Sequence, residues 1–268
     1  TFQAFERGLY DTRLGGQLAD TIANPYHIDL NTWRVEGFMK NGYVFDPISG
    51  SSVAVIVAAS YHDQKNKYGN KAWNASQLNA YLNAIYQGNW EGGGLIDNDH
   101  RLSAGLSLNY DRYKENLSLL PLVLDRDEVT PGIFAEYSYT YADQLSLVAG
   151  VRADWSSRYG FFFTPRANVR YSPFAWWTLR GSVGMGYRSP NAIADNAFIM
   201  PSARQLILTE NIKQERAVNA GVSTTFYIPM GSKELQLSAE YYYTHFLNSV
   251  IVDMDQNAHE VHVYNQSD

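Results

Sequence analysis

The side chains best equipped for chemistry are five arginines, Arg152, Arg166, Arg170, Arg180 and Arg188, set among the carboxylates Glu136, Asp154 and Glu240. Guanidinium forks grip carboxylate and phosphate oxygens in pairs. The row suits an anionic ligand, or it is taken up by cross-strand pairing with those carboxylates. Asp253-Met254-Asp255-Gln256-Asn257 carries oxygen ligands at alternate positions, as calcium loops do. It lacks the glycine and distant glutamate of an EF-hand, so it reads first as a solvated acidic loop, with Asp253, Asp255 and Asn257 as the calcium candidates. Asp97, Asp99, Asp125 and Asp127 are similar fragments. His259-Glu260-Val261-His262 is not a zinc helix, because on a strand its two histidines point to opposite faces. Gly181-Ser182-Val183-Gly184-Met185-Gly186 lies inside an alternating pattern with no βαβ unit around it, which excludes a nucleotide loop. No Ser/His/Asp or paired-carboxylate spacing emerges, so no catalytic residue and no enzyme is expected.

Aromatic residues form the second group. Tyr159, Phe161, Phe162 and Phe163 cluster beside an expected loop. They suit an apolar ligand platform or an aromatic girdle. Tyr68 and Trp73 stand in the polar stretch 62–76, which reads as a loop, and there they are expected to be exposed ligand contacts.

The elements that must position these groups are strands. In 164–191, Ala167, Val169 and Tyr171 alternate with Arg166, Asn168 and Arg170. After a corner at Pro173-Phe174-Ala175, Trp177, Leu179, Val183, Met185 and Tyr187 oppose Thr178, Arg180, Ser182, Gly184, Gly186 and Arg188. Period-two alternation separates an oily face from a wet one. The runs reach the roughly 9–11 residues that a tilted strand needs to cross a bilayer. The same alternation marks 33–45, 53–61, 101–111, 133–141, 145–155, 218–226 and 235–243, and with less clarity 78–86, where helical spacing also fits. Connections are expected to be short at 46–51, 142–144, 173–175 and 228–233, and longer at 64–76, 114–130, 189–213 and 247–258. The 156–163 loop is intermediate, and 88–100 is longer than its slot predicts. Short turns on one rim and long loops on the other describe an outer-membrane barrel. Pairing from the turns places Tyr141 opposite Leu145, Glu136 near Arg152, and Asn168 opposite Arg180.

The 268 residues include no cysteine, which excludes a disulfide scaffold and thiolate metal sites. Net charge is -6 with no basic block, so nucleic acid is excluded as a partner. The slightly negative mean hydropathy fits a barrel, because half of each wall strand faces water. No run is long enough for a transmembrane helix. The chain opens at Thr1 without a signal peptide, and a processed chain or an excised piece is expected.

Several segments, PRANVRYSP at 165–173, LRGSVGMGYRSPN at 179–191, KQERAVNAGV at 213–222 and LSAEYYYTHFLNSVIV at 237–252, resemble the barrel of TonB-dependent outer-membrane receptors. HRLSAGLSLNYDRYKE at 100–115 resembles an earlier segment of the same barrel. The resemblance implies an all-β fold, an antiparallel transmembrane β-barrel wall amounting to about half of a plugged 22-stranded barrel. Nothing resembles the plug or the segment that meets TonB, so residues 1–33 are expected to be irregular and 34–268 to form a partial barrel. The resemblance further implies a cell outer membrane in a Gram-negative bacterium, contact with its lipid, and TonB coupling through the missing plug, which the inner arginines would touch. The cargo would be a ferric siderophore, haem or cobalamin, with the look of the barrel leaning toward cobalamin. Two other readings remain at this point. One is a closed barrel enzyme of protease or phospholipase type. The other is a soluble β-sandwich, with shorter strands and a dry core on the oily faces.

Overall fold

The computed structural model describes residues 6–11, 27–91, 98–118, 124–202, 204–209 and 212–266. Asp97, much of the 88–100 connection, and residues 1–5 and 12–26 of the expected irregular segment lie outside these. The strands are β1 (Glu6–Asp11), β2 (His27–Asp46), β3 (Ser51–Tyr68), β4 (Lys71–Glu91), β5 (Asn98–Leu117), β6 (Arg126–Tyr141), β7 (Leu145–Ser156), β8 (Gly160–Phe174), β9 (Trp177–Arg188), β10 (Gln205–Leu208), β11 (Glu215–Met230), β12 (Lys233–Asn248), β13 (Val250–Asp253) and β14 (Glu260–Asn265). An antiparallel sheet of 11 strands runs β1 through β9, then β11 and β12. The other three form a small sheet in the order β10-β14-β13.

The large sheet keeps the two faces expected of it. Leu106, Ile133 and Val183 on the apolar face are 62%, 58% and 51% exposed. A sandwich would bury such a row, so that reading falls. Strands β2 to β5 have 20, 18, 21 and 20 residues, well beyond the roughly 9–11 that cross hydrocarbon. The excess lies past Tyr61 and Tyr110. There the outer face turns charged, with Asp63, Lys65 and Lys67 on β3, and Arg112 of β5 within 3.5 Å of Asp127 on β6. Strand pairing therefore continues beyond the apolar band as a polar collar.

This collar corrects the expected loops. Residues 62–76 are two strand ends joined by a turn in which Gly69 takes φ 59°, and 78–86 is a strand. The 156–163 connection shrinks to a turn between Ser156 and Gly160, and strands enter the expected 114–130 connection from both ends. Strand β2 starts at His27, ahead of the expected Trp33, and β1 pairs with it. Charged residues take over the outer face of the collar, while the inner face mixes Asn66 and Glu115 with Tyr68, Trp73 and Leu117, so the oily alternation that marks a strand is lost there although the ladder is not.

Register differs once. An irregularity between Tyr171 and Phe174 moves the β8–β9 turn to Ala175-Trp176. Asn168 then faces Ser182 rather than Arg180, and Arg180 faces Arg170. Tyr141 does oppose Leu145, but Gly150 stands opposite Glu136. Tyr187, expected in the oily row, packs on Phe162 with ring centroids 3.8 Å apart.

The best-buried apolar cluster sits at the collar, on the inner face of the large sheet. Tyr68, Trp73 and Leu117 from the wall meet Ile193, Ile199, Met200, Leu206, Val261 and Val263. The latter come from the 189–214 excursion, which contains a 3-10 turn Ala194–Ile199, and from the small sheet. These parts form a cap folded onto the inner face of β3 to β5. Lys71 Nζ fastens it by donating to the carbonyls of Ser202 and Arg204, and Arg204 Nη1 donates to the Met254 carbonyl at 2.7 Å.

Candidate functional site

Between the cap and the ends of β5, β6, β7 and β11 lies a cavity of about 910 Å³. Its wall carries Arg126, Arg158, Lys213 and Arg216 against Glu115 and Asp125, with Tyr159, Leu208 and Ile212 as apolar surface. Strand periodicity explains the inward aim of Glu115 and Arg126. They continue the inner rows of Asp111 and Tyr113 on β5 and of Glu128 on β6. Arg126 lies over the Tyr113 ring at 4.0 Å and donates to the Pro190 carbonyl at 2.6 Å. Asn191 Nδ2 donates to Glu115 Oε1 at 3.1 Å, and both residues are buried. Ser189 and Ser156 donate to Glu128 Oε1 at 3.0 and 2.7 Å. Three polar ties thus fix the start of the excursion as one side of the cavity.

Burial pushes the Glu115 carboxyl above its ordinary range, against the opposing pull of the Asn191 amide and the Arg126 charge. Glu115 stands past the charged Arg112–Asp127 pair, in the collar. Burial also lowers the Lys71 ammonium. Arg158 reaches over Tyr159, at 5.9 Å from the ring centre, and has no carboxylate partner among the described residues. A ligand in this cavity meets four cationic side chains, two carboxylates and an aromatic edge.

The expected ligand contacts separate. Tyr159 lines the cavity. Tyr68 and Trp73 are 9% and 4% exposed in the cap core, so the expectation of exposed loop aromatics is corrected. Phe161 and Phe163 lie on the outer face and are exposed, whereas Phe162 is buried opposite Asp154. Asp253 and Asn257 are engaged in turns. Asp253 Oδ1 accepts the N–H groups of Asp255 and Gln256, and Asn257 Oδ1 accepts that of His259. The Asp255 N–H leads in holding the Asp253 carboxyl below its ordinary range. No group of three or more His, Asp or Glu placed to hold a metal occurs among the described residues.

The arginine row resolves into pairs and a remainder. Arg152 grips Asp154 through Nε at 2.6 Å and Nη2 at 2.5 Å, and Nη2 also reaches Ser107 at 2.6 Å. A Cβ at Gly132 would overlap Asp154, so that glycine makes the room. Glu136 pairs not with Arg152 but with Arg166, reaching across Gly150, where a Cβ would stand 3.1 Å from Arg166 Nε. Arg188 meets Glu215 at 2.6 Å and Asp195 at 3.2 Å. Arg170, Arg180 and Glu240 have no ion pair among the described residues.

Sequence reasoning missed Arg126, Arg158, Arg216 and Glu115. Arg158 was next to the chosen Tyr159, but no sequence pattern brings the 213–216 segment to it. Arg126 and Glu128 hold the inner parity of β6, a signal hidden by ending that strand near Ile133.

A family model described as TonB dependent receptor-like, beta-barrel, matches residues 3–265. No curated protein matches the chain by sequence. Among solved structures, the siderophore receptor PirA of Pseudomonas aeruginosa is similar at 14% identity and TM-score 0.58, over 90% of this chain and 46% of that one. The hemophore receptor HasR of Serratia marcescens, solved as a double mutant with its hemophore HasA and heme, is similar at 12% identity and TM-score 0.65, over 87% and 45%. The alcaligin receptor FauA of Bordetella pertussis is similar at 15% identity and TM-score 0.58, over 89% and 42%. The chain therefore spans under half the length of each, and its large sheet is a partial barrel wall.

Proposed function

The chain belongs to the family of TonB-dependent receptor β-barrels, and on that premise we propose that it is part of an outer-membrane receptor that captures an anionic ferric chelate at its collar for TonB-coupled uptake. Family members are receptors and transporters of the Gram-negative outer membrane and not enzymes. The observation that carries the ligand class is the cavity under the cap, with Arg126, Arg158, Lys213 and Arg216 facing Glu115 and Asp125. Its size suits a compact chelate, since ligand sites commonly enclose about 300–1,000 Å³. Cationic walls also raise the local concentration of an anion. Cobalamin carries no net charge and would draw little from this lining, so the chelate is favoured over it. The apolar outer face would meet lipid, and a plug supplied from outside these residues would carry the TonB contact.

Equilibrium binding to the full chain in detergent tests this. A ferric tris-catecholate, with three negative charges, should bind and weaken as salt rises, while a neutral ferric trihydroxamate of similar size binds much less. Arg158→Ala should weaken the anion by about tenfold, the scale of one charge-assisted contact. Equal affinity for the two chelates, or indifference to Arg158→Ala, would sink the assignment.

A further inference from the structure

We infer that Gln214 sets ligand preference in the collar cavity, and that its side-chain amide reads a carboxamide carbonyl on the scaffold of the chelate. The inference rests on the anionic-chelate reading above and goes past it, because charge alone does not separate chelates that carry the same charge.

Gln214 lines the cavity and is 3% exposed. Its Oε1 accepts from Arg216 Nε at 3.3 Å, but its Nε2 is buried with no hydrogen-bond partner among the described residues. Buried amides are ordinarily paired, because an unmet donor loses its water and gains nothing. The backbone around this one is fixed. The Lys213 N–H donates to Asn265 Oδ1 at 2.8 Å, the Gln214 carbonyl accepts from Asn248 Nδ2 at 2.9 Å, and Glu215 Oε1 accepts from the Val250 N–H at 3.1 Å. These ties to β12, β13 and β14 hold the amide in place before any ligand arrives. On the β6 side of the cavity, Arg126 repeats the pattern: Nη1 donates to the Pro190 carbonyl, and Nε is buried and unmet among the described residues. Two such donors in one lining point to a guest with oxygen acceptors. Their chemistry separates. The guanidinium suits a charged oxygen of the chelate. Gln214 Nε2 is a neutral donor in a buried position. A charged oxygen brought there gives up hydration that an amide hydrogen does not replace, whereas a neutral carbonyl gives up far less. Amide resonance places extra electron density on the carbonyl oxygen, so a carboxamide is the best neutral match.

Two ferric tris-catecholates test this on the full chain in detergent. In one, the rings hang from a tripod through amides. The other is its thioamide twin, with the same charge and outline but a weak acceptor. Each is titrated into the wild type and into Q214M, which keeps the length of the side chain and removes the donor. The wild type should hold the amide chelate about tenfold more tightly than the thioamide, and Q214M should bind the two alike. The unfolding midpoint of Q214M should not fall, since an unmet donor has gone. A merely structural Gln214 would instead weaken both chelates together and lower the midpoint, which overturns the inference. So does equal affinity of the wild type for the two, or a preference that Q214M retains, which assigns the carbonyl to another donor. In each of those cases both chelates still bind the wild type and weaken as salt rises, so the anionic-chelate reading stands. Binding of neither chelate to the wild type removes that reading and the inference with it.

Discussion

At the scale of single residues, Glu115 is the most exposed to experiment. Its carboxyl is raised by burial, so its folded pKa lies above that of the unfolded chain. The neutral form is therefore the one the fold prefers. Its contribution to docking the excursion is complete below the unfolded value and lost as pH rises through the folded one. Amide protection at 191–194, corrected for intrinsic exchange, should fall in the wild type as pH rises above the ordinary carboxylate range. It should stay level in Glu115→Gln, which keeps the acceptor for Asn191. Equal slopes in both would show that another group controls the dock. Residue-level pairing was only partly legible in the sequence. The carboxylates and arginines of the inner row were readable from parity. Their partners were not, because a glycine such as Gly150 lets a pair form across an intervening strand, and one irregularity at Tyr171–Phe174 re-addresses every contact after it.

At the scale of elements, the strands over the apolar band were legible almost to their ends, since each presents an oily face and a wet one. The collar was not. Asp63, Lys65 and Lys67 are as polar as a loop, and only their ladder partners reveal a strand. The tight turns there depend on backbone that few residues adopt. Gly160 has φ 76°, and a Cβ added there would meet nothing within 4 Å, so steric crowding and strain separate cleanly. Gly160→Ala should cost about 1–2 kcal/mol from the left-handed conformation alone. Urea unfolding should report it as a lower midpoint with an unchanged slope. No change would mean that the β7–β8 turn relaxes into another form.

At the scale of the whole molecule, wall and cap divide the work. The wall buries little of its apolar row within the chain, whereas the cap owns the dense core around Trp73. That core was illegible in sequence because its members come from 68–73, 117, 193–206 and 261–263, and no local period links them. Trp73→Ala should cost about 3–5 kcal/mol, as large-to-small core changes do. Hydrogen exchange should place the loss in 193–208 and 260–265, with β6 to β8 unaffected. Uniform loss over the wall would mean that cap and wall unfold as one unit.

The strand order carries a consequence for how the wall assembles. Every neighbour in the large sheet is the next strand in the chain, except that β11 joins β9 past the excursion. Low contact order favours rapid assembly. The wall can thus zip hairpin by hairpin, and the one interruption falls where the chain leaves β9 to lay down part of the cap.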